Sequence, residues 1–176
     1  MKKNKYLDSV KKNLNLINPH QLLKATNIIS KINKRNKVIL AGNGASSSIS
    51  SHVSIDLTKA AGIRATNFNE ANLLTCFSND YGYENWLKKA LEFYSLPGDI
   101  LILISSSGKS ENIIKAAKAA KKLKLKLITL SGFSKNNPLS KKGIVNFHVD
   151  SKIYNVVESL HLTILLNIVE NLIKKN

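Results

Sequence analysis

Residues 100–110 read ILILISSSGKS, and this stretch decides the fold. Its first five residues are all apolar, so a strand formed there would be covered on both faces, as in a parallel sheet. Four serines and a glycine lie within the next six residues, and a helical pattern begins at Ser110. We therefore predict a central β-strand, a loop at its carboxyl end and a helix over residues 110–124.

The same alternation of strands and helices extends along the chain. Short apolar runs bounded by turn residues predict further strands over residues 38–41, 64–68, 125–130 and 145–149. Helical spacing predicts helices over 5–17, 19–34, 46–61, 83–94 and 153–174. This order is typical of βαβ units. We expect a single domain, 1–176, with a three-layer α/β fold, a five-stranded parallel sheet, an N-terminal helical extension (1–35) and a long C-terminal helix.

The composition indicates a soluble protein of a reducing compartment, which we expect to be the cytoplasm. Apolar residues make up 43% of the 176 residues, but no apolar run approaches the roughly 20 residues that a membrane helix needs. The polar N-terminus does not resemble a signal peptide. Cys76, the only cysteine, is interpreted as a core residue, and His20 and His148 as surface residues without a catalytic role.

The formal net charge of +16 raises the possibility of a nucleic-acid partner. Arginine, the better bidentate ligand for phosphates and base edges, is nearly absent, because Arg35 and Arg64 are the only two. Lys115, Lys118 and Lys122 recur on one helical face, opposite apolar residues, as expected of a solvated face. We therefore rank nucleic acid last among the partners and retain a general attraction for anionic substrates.

Two loops rich in glycine and serine follow predicted strands: the glycine loop (42–48) and the serine loop (105–110). Ligands of parallel sheets bind beyond the carboxyl ends of strands, where both loops are expected. The glycine loop matches neither the dinucleotide-binding nor the Walker A motif, and a plain turn at a helix start explains it equally well. In the serine loop, four hydroxyls and the amides around Gly108 are donors suited to phosphate, whereas capping the helix would need one serine. We predict a phosphate site there.

Five segments together resemble the sugar isomerase (SIS) domain, and within it the phosphoheptose isomerases. They are GNGAS (42–46), SHVSIDL (51–57), SNDYGYE (78–84), ISSSGKS (104–110) and ITLSG (128–132). The resemblance implies a flavodoxin-like fold, a homotetramer with active sites at subunit interfaces, and isomerisation of sedoheptulose 7-phosphate for lipopolysaccharide biosynthesis. It also implies substrate contacts by Asn43, Gly44, Ser46 and Asp80 and phosphate contacts by Ser105, Ser106, Ser107 and Ser110.

His52 and Asp56 lie four residues apart, so both project from one face of the helix after the glycine loop. Isomerisation needs a base that moves a proton between adjacent carbons, and the resemblance implies that role for Asp56. Because the His52 position is a metal ligand in some members, it also implies a divalent metal such as zinc at His52 and Asp56. The alternative is a structural polar pair, since two ligands are too few for a closed zinc site.

The C-terminal helix departs from the family, which carries a later histidine that acts in catalysis or metal binding. Here no histidine follows His161. Glu158 and His161 share a helical face and are our candidates for the missing base and acid, with a polar surface pair as the alternative. The missing histidine also favours a rival function, that of a catalytically silent SIS module that binds a sugar phosphate or scaffolds a partner protein.

The same helix is apolar around most of its circumference. A helix buried on all sides in so small a domain is expected to pack against another subunit. We therefore expect a homo-oligomer, a tetramer by the resemblance, with a phosphorylated sugar as ligand and no membrane partner.

Overall fold

The computed structural model of the chain describes residues 4–173. The predicted helix end at Lys174 and the outermost residues of the predicted domain, 1–3 and 174–176, lie outside them. The elements in chain order are α1 (Lys5–Leu14), α2 (Pro19–Ser30), β1 (Val38–Gly42), α3 (Ala45–Lys59), β2 (Ala65–Asn67), α4 (Ala71–Tyr81), α5 (Trp86–Tyr94), β3 (Ile100–Ser105), α6 (Glu111–Lys122), β4 (Lys126–Gly132), β5 (Val145–Val149) and α7 (Tyr154–Ile173).

The strands form one parallel sheet in the order β2-β1-β3-β4-β5. β3 lies at its centre, and each of its six residues is buried. The predicted five-stranded parallel sheet is therefore confirmed, together with the three-layer α/β architecture.

Alternation along β3 explains the three layers. Ile100, Ile102 and Ile104 pack into a cluster with α2, α3 and α7, whereas Leu101 and Leu103 pack on the other face with α5 and α6. The period of two residues in a strand sends neighbours to opposite faces, so a strand apolar at every position needs helices on both sides.

Helix α7 is long and apolar enough to cross a membrane by length and composition, with a mean hydropathy of 1.5 over its most apolar window. Half of that window is buried in the protein, and α7 packs against α1, α2, α3, β4 and β5. It therefore packs as a core helix of the described fold. Since packing within the chain accounts for its apolar surface, the oligomer that we inferred from it stays a prediction.

Two helices, rather than one, lie between β2 and β3. α5 begins at Trp86 rather than at residue 83, and α4, which the sequence reasoning missed, precedes it. The side chain of Glu70 caps α4 by accepting from the amides of Asn72 (3.1 Å) and Leu73 (2.7 Å). No residue of α4 is fully buried, although Leu73, Leu74 and Phe77 pack against the cluster that contains α5 and α6.

Candidate active site

The glycine loop connects β1 to α3 and depends on two glycines. A Cβ atom on Gly42 would lie 2.5 Å from Cβ of Ser46, so only glycine lets the strand end pack against the first turn of α3. Gly44 is the N-cap of α3, with a φ of 56°, and no side chain caps the helix. The space beside Gly44 is open. The start of α3 therefore presents its positive dipole end to open space, as anion sites do.

The serine loop connects β3 to α6 and is braced by the segment after β4. Gly108 has a φ of 64°, and a Cβ atom there would overlap Oδ1 of Asn137. The amide of Gly108 donates to Ser105 Oγ at 3.2 Å, and Ser107 Oγ also accepts from the loop backbone. A hydroxyl that accepts keeps its own proton to donate to a ligand. Ser110 is the N-cap of α6 but makes no capping hydrogen bond, so capping does not account for it.

The two loops meet at a cleft of about 150 Å³. Its lining residues are Asn43, Ser46, Ile104, Ser105, Ser106, Ser107, Ser110, Tyr154 and Glu158. The loops follow β1 and β3, which are neighbours in the sheet, and from them the chain proceeds to β2 on one side and β4 on the other. Such a switch point is where open α/β sheets bind ligands.

Two larger clefts, of about 400 and 500 Å³, lie at the opposite edge of the sheet, where β4 begins at Lys126 and β2 is preceded by Arg64. Neither is lined by a carboxylate, and both lie at the amino ends of strands. Further clefts of about 340 and 230 Å³ lie in grooves between α5 and α6 and between α2 and α7, away from the ends of the strands. Position at the carboxyl ends of the strands, rather than size, therefore singles out the cleft between the two loops.

Asn43 is held in the cleft by partners that sequence reasoning missed. Its side-chain amide donates to Asn112 Oδ1 at 3.0 Å, and Asn112 donates back to Asn43 Oδ1 at 2.9 Å. The Tyr83 hydroxyl also donates to Asn43 Oδ1, at 3.3 Å. Asn112 is only 1% exposed, so it serves to fix Asn43 from within the protein.

Glu158 brings the carboxylate of α7 into the cleft. The Ser106 hydroxyl donates to Glu158 Oε1 at 3.4 Å, which joins the serine loop to α7. Tyr154, one helical turn earlier, lines the same space. The sequence reasoning selected Glu158 but missed Tyr154, because nothing in the local pattern distinguishes it from a residue at an ordinary helix start.

His161 lies three residues after Glu158 but faces the core and does not line the cleft. Burial, together with a smaller contribution from His148, lowers its pKa to about 4, the Ser131 backbone opposes the shift, and neither ring nitrogen has a hydrogen-bond partner. His161 is therefore neutral at neutral pH, and its catalytic role stays a prediction. His148 was interpreted as a surface residue, but it is half-buried and its ring nitrogens are inaccessible, and burial lowers its pKa.

His52 and Asp56 form the expected pair on α3, with 3.0 Å between His52 Nε2 and Asp56 Oδ2. Both lie on the solvent side of α3, and neither lines the cleft. Within residues 4–173 no group of three or more His, Cys, Asp or Glu side chains is arranged to bind a metal. The predicted zinc ligands thus remain two, fewer than a zinc site needs.

Asp80 and Cys76 lie on α4, outside the cleft. Asp80 is exposed, and its carboxylate accepts from Asn79 at 3.0 Å and faces Cys76 Sγ at 3.7 Å. The interpretation of Cys76 as a core residue is wrong, since the thiol is exposed. Leu73, Leu74 and Phe77 of the same helix pack partly buried against the core, whereas Cys76 lies on its exposed side.

Comparisons with known proteins agree on one family. A model of the SIS domain matches residues 5–132. The phosphoheptose isomerase of Helicobacter pylori is 34% identical over 126 residues, 67% of this chain and 66% of that protein, so the chain spans just under two thirds of its length. The probable phosphoheptose isomerase of Thermoplasma acidophilum is 31% identical over 150 residues, 80% of each chain. The structure of phosphoheptose isomerase from Neisseria gonorrhoeae is similar in fold, with a TM-score of 0.86, 20% identity, and coverage of 96% of this chain and 93% of that one.

Proposed function

This chain belongs to the SIS domain family, and we propose that it is an aldose–ketose isomerase of a phosphorylated sugar, with sedoheptulose 7-phosphate as its substrate. The observation that carries the proposal is a single cleft in which serine hydroxyls and a carboxylate line the same space. Relatives from Helicobacter pylori and Thermoplasma acidophilum that bear the name phosphoheptose isomerase support the choice of substrate. The proposed reaction takes place in the cytoplasm.

The serine loop would bind the phosphate. Ser105 and Ser106 are only 5% and 6% exposed, so their hydroxyls act in a partly dry environment, where hydrogen bonds to an anion are stronger than in water. The cleft of about 150 Å³ is roughly five times the ~30 Å³ that one water occupies in the liquid, which is room for a phosphoryl group.

The proton transfer would fall to Glu158. Isomerisation requires a base that removes a proton from one carbon and returns it to the next. Glu158 is the carboxylate in the cleft, and its contact with Ser106 places it beside the loop that would hold the phosphate. Asn43 and Ser46, on the facing side, would bind the sugar oxygens and orient the carbon chain. A substrate fixed at its phosphate by the serine loop would thus extend between α3 and α7.

Asp56 and His161, the other predicted catalytic residues, lie outside the cleft of a single chain. Asp56 lies with His52 on the solvent side of α3 and would reach a substrate only in an assembly that closes over this face. The small cleft supports such an assembly, because ligand sites usually measure about 300–1,000 Å³. His161, buried one turn from Glu158, would act through the packing of α7 rather than on the substrate.

The test is conversion of sedoheptulose 7-phosphate by the purified full-length chain, followed by NMR of the sugar carbons. We expect Glu158→Gln to lower kcat by about 10²–10⁴-fold, the usual contribution of a general base, while the protein stays folded. Glu170→Gln is the matched control, since Glu170 is an exposed carboxylate on the same helix and outside the cleft. Equal turnover by the Glu158 variant and the unmodified chain would contradict the assignment of the base.

A second function, that of a silent module that binds a sugar phosphate without converting it, is favoured by one observation. None of the residues that line the cleft is a histidine, so the cleft of the single chain holds no imidazole to act as the acid partner of Glu158. The same NMR experiment separates the two, because a silent module binds sedoheptulose 7-phosphate and leaves its spectrum unconverted. Turnover by the unmodified chain eliminates the second function.

A further inference from the structure

Tyr154 lines the cleft, but the roles proposed for the serine loop and Glu158 assign it no function. It is the first residue of α7 and lines the cleft one turn before Glu158. The side chain is 57% exposed. Its ring therefore faces the solvent side of the cleft and has apolar surface to offer a ligand.

The ring of Tyr154 is held in place by Phe133. The two rings meet edge to face, with centroids 4.8 Å apart and an interplanar angle of 72°. Edge-to-face contacts at this distance are attractive and fix the orientation of both rings. The ring of Tyr154 is thus oriented before any ligand arrives.

The backbone at Phe133 is strained. Its φ of 60° lies in the left-handed region, which is a rare and costly conformation for a bulky side chain. The Phe133 amide donates to the carbonyl of Ser151 (2.9 Å), and the preceding Gly132 donates to the carbonyl of Ser106 (2.9 Å). The segment that fixes Tyr154 is therefore bonded directly to the serine loop, so the phosphate site and the aromatic ring are set relative to each other.

We propose that the ring of Tyr154 is a positioning wall, against which the carbon chain of a sugar phosphate packs so that its reacting carbons face Glu158. This inference rests on the proposed function. The donors suited to phosphate lie in the serine loop, which leaves the aromatic ring of Tyr154 for the C–H groups of the carbon chain. The contact is made by the ring of Tyr154, and its hydroxyl is not required.

The experiment measures binding of two probes by calorimetry, sedoheptulose 7-phosphate and inorganic phosphate, to the full-length chain. Tyr154→Ala should weaken binding of the sugar phosphate by about tenfold, the scale of one aromatic contact, and leave the affinity for inorganic phosphate unchanged. Tyr154→Phe should restore the sugar-phosphate affinity. Tyr94→Ala is the matched control, because Tyr94 is 51% exposed, also contacts a phenylalanine (Phe68, 5.8 Å between centroids) and lies outside the cleft.

The outcomes separate this inference from the function on which it rests. If the unmodified chain binds neither probe, the phosphate site fails, and the wall fails with it. If the unmodified chain binds both and Tyr154→Ala binds sedoheptulose 7-phosphate as tightly, only the role of Tyr154 is overturned. A loss for both probes in Tyr154→Ala, or a failure of Tyr154→Phe to rescue, also overturns it, because the ring would then act on the phosphate or through its hydroxyl.

Discussion

The reciprocal amide pair between Asn43 and Asn112 allows a quantitative test of how the glycine loop is positioned. Asn112→Ala removes two hydrogen bonds, of 2.9 and 3.0 Å, from a side chain that is 1% exposed. At about 1 kcal/mol for each bond, the free energy of unfolding should fall by ~2 kcal/mol. For a domain of this size such a loss lowers the melting temperature by about 4–8 °C.

The assay is a double-mutant cycle read by denaturant unfolding and by kinetics. Asn43→Ala, Asn112→Ala and the double variant should give a coupling energy of roughly 1–2 kcal/mol, as expected for side chains in direct contact. Because Asn43 then loses its orientation, Asn112→Ala should also raise the KM for sedoheptulose 7-phosphate. Asn72→Ala, at an exposed position on α4, is the control and should change stability by less than about 0.5 kcal/mol.

Two results would refute the reasoning in different ways. A coupling energy of zero would mean that the amide pair does not form in solution. A normal coupling energy with an unchanged KM would mean that the pair stabilises the fold but that Asn43 does not contact the substrate. The Tyr83 hydroxyl also donates to Asn43, at 3.3 Å, so Tyr83→Phe should give a smaller effect in the same direction.

Two further predictions concern the serine loop and the core. Gly108→Ala should abolish phosphate binding in calorimetry, because the new Cβ would overlap Asn137 Oδ1 and the backbone there is left-handed. Gly44→Ala, at a φ of 56° with open space around the new Cβ, should retain partial binding. Equal losses in the two variants would contradict the steric argument. The pKa of His161 falls from 6.5 to about 4 on folding, so the unfolded chain binds more protons, and stability should drop by up to ~3 kcal/mol as the pH falls from 6.5 to 4. His161→Leu should flatten this part of the stability–pH curve in urea unfolding, and an unchanged curve would place the responsible group elsewhere.

Much of the fold was predictable because a strand that is buried on both faces of the sheet is a run of consecutive apolar residues. β3 is apolar at every position except its last, and the short length of the run and the serine-rich loop after it favour a buried strand over a buried helix. The switch point between β1 and β3 then follows from the strand order, and with it the edge where the two loops meet. Helix α4 escaped prediction although Leu73, Leu74 and Phe77 pack against the core, because these residues are only partly buried and the signal of the helix is short.

The candidate site was predictable only where one element carries the signal. The serines lie together in one loop, and the structure shows them lining one cleft. Asn112 supports Asn43 from α6, and Tyr154 lines the cleft from α7. The local sequence of these two residues reveals nothing of their partners Asn43 and Phe133. His161 shows a second limit of sequence-based prediction. Its spacing from Glu158 predicts a shared helix face, but the spacing does not tell whether the side chain lies in the cleft or in the core.

The net charge of +16 does not come from the residues that line the cleft. None of the residues that line the cleft is a lysine or an arginine, and Lys109, although within the serine loop, is exposed and outside the lining. Hydroxyls and the main chain, rather than ammonium groups, would therefore contact the phosphate. A lysine-rich surface still raises the local concentration of anions at long range, and that effect is screened within about 10 Å at 0.1 M salt. In the proposed function, the lysines would therefore affect the association rate of a sugar phosphate, and the serine loop its dissociation rate.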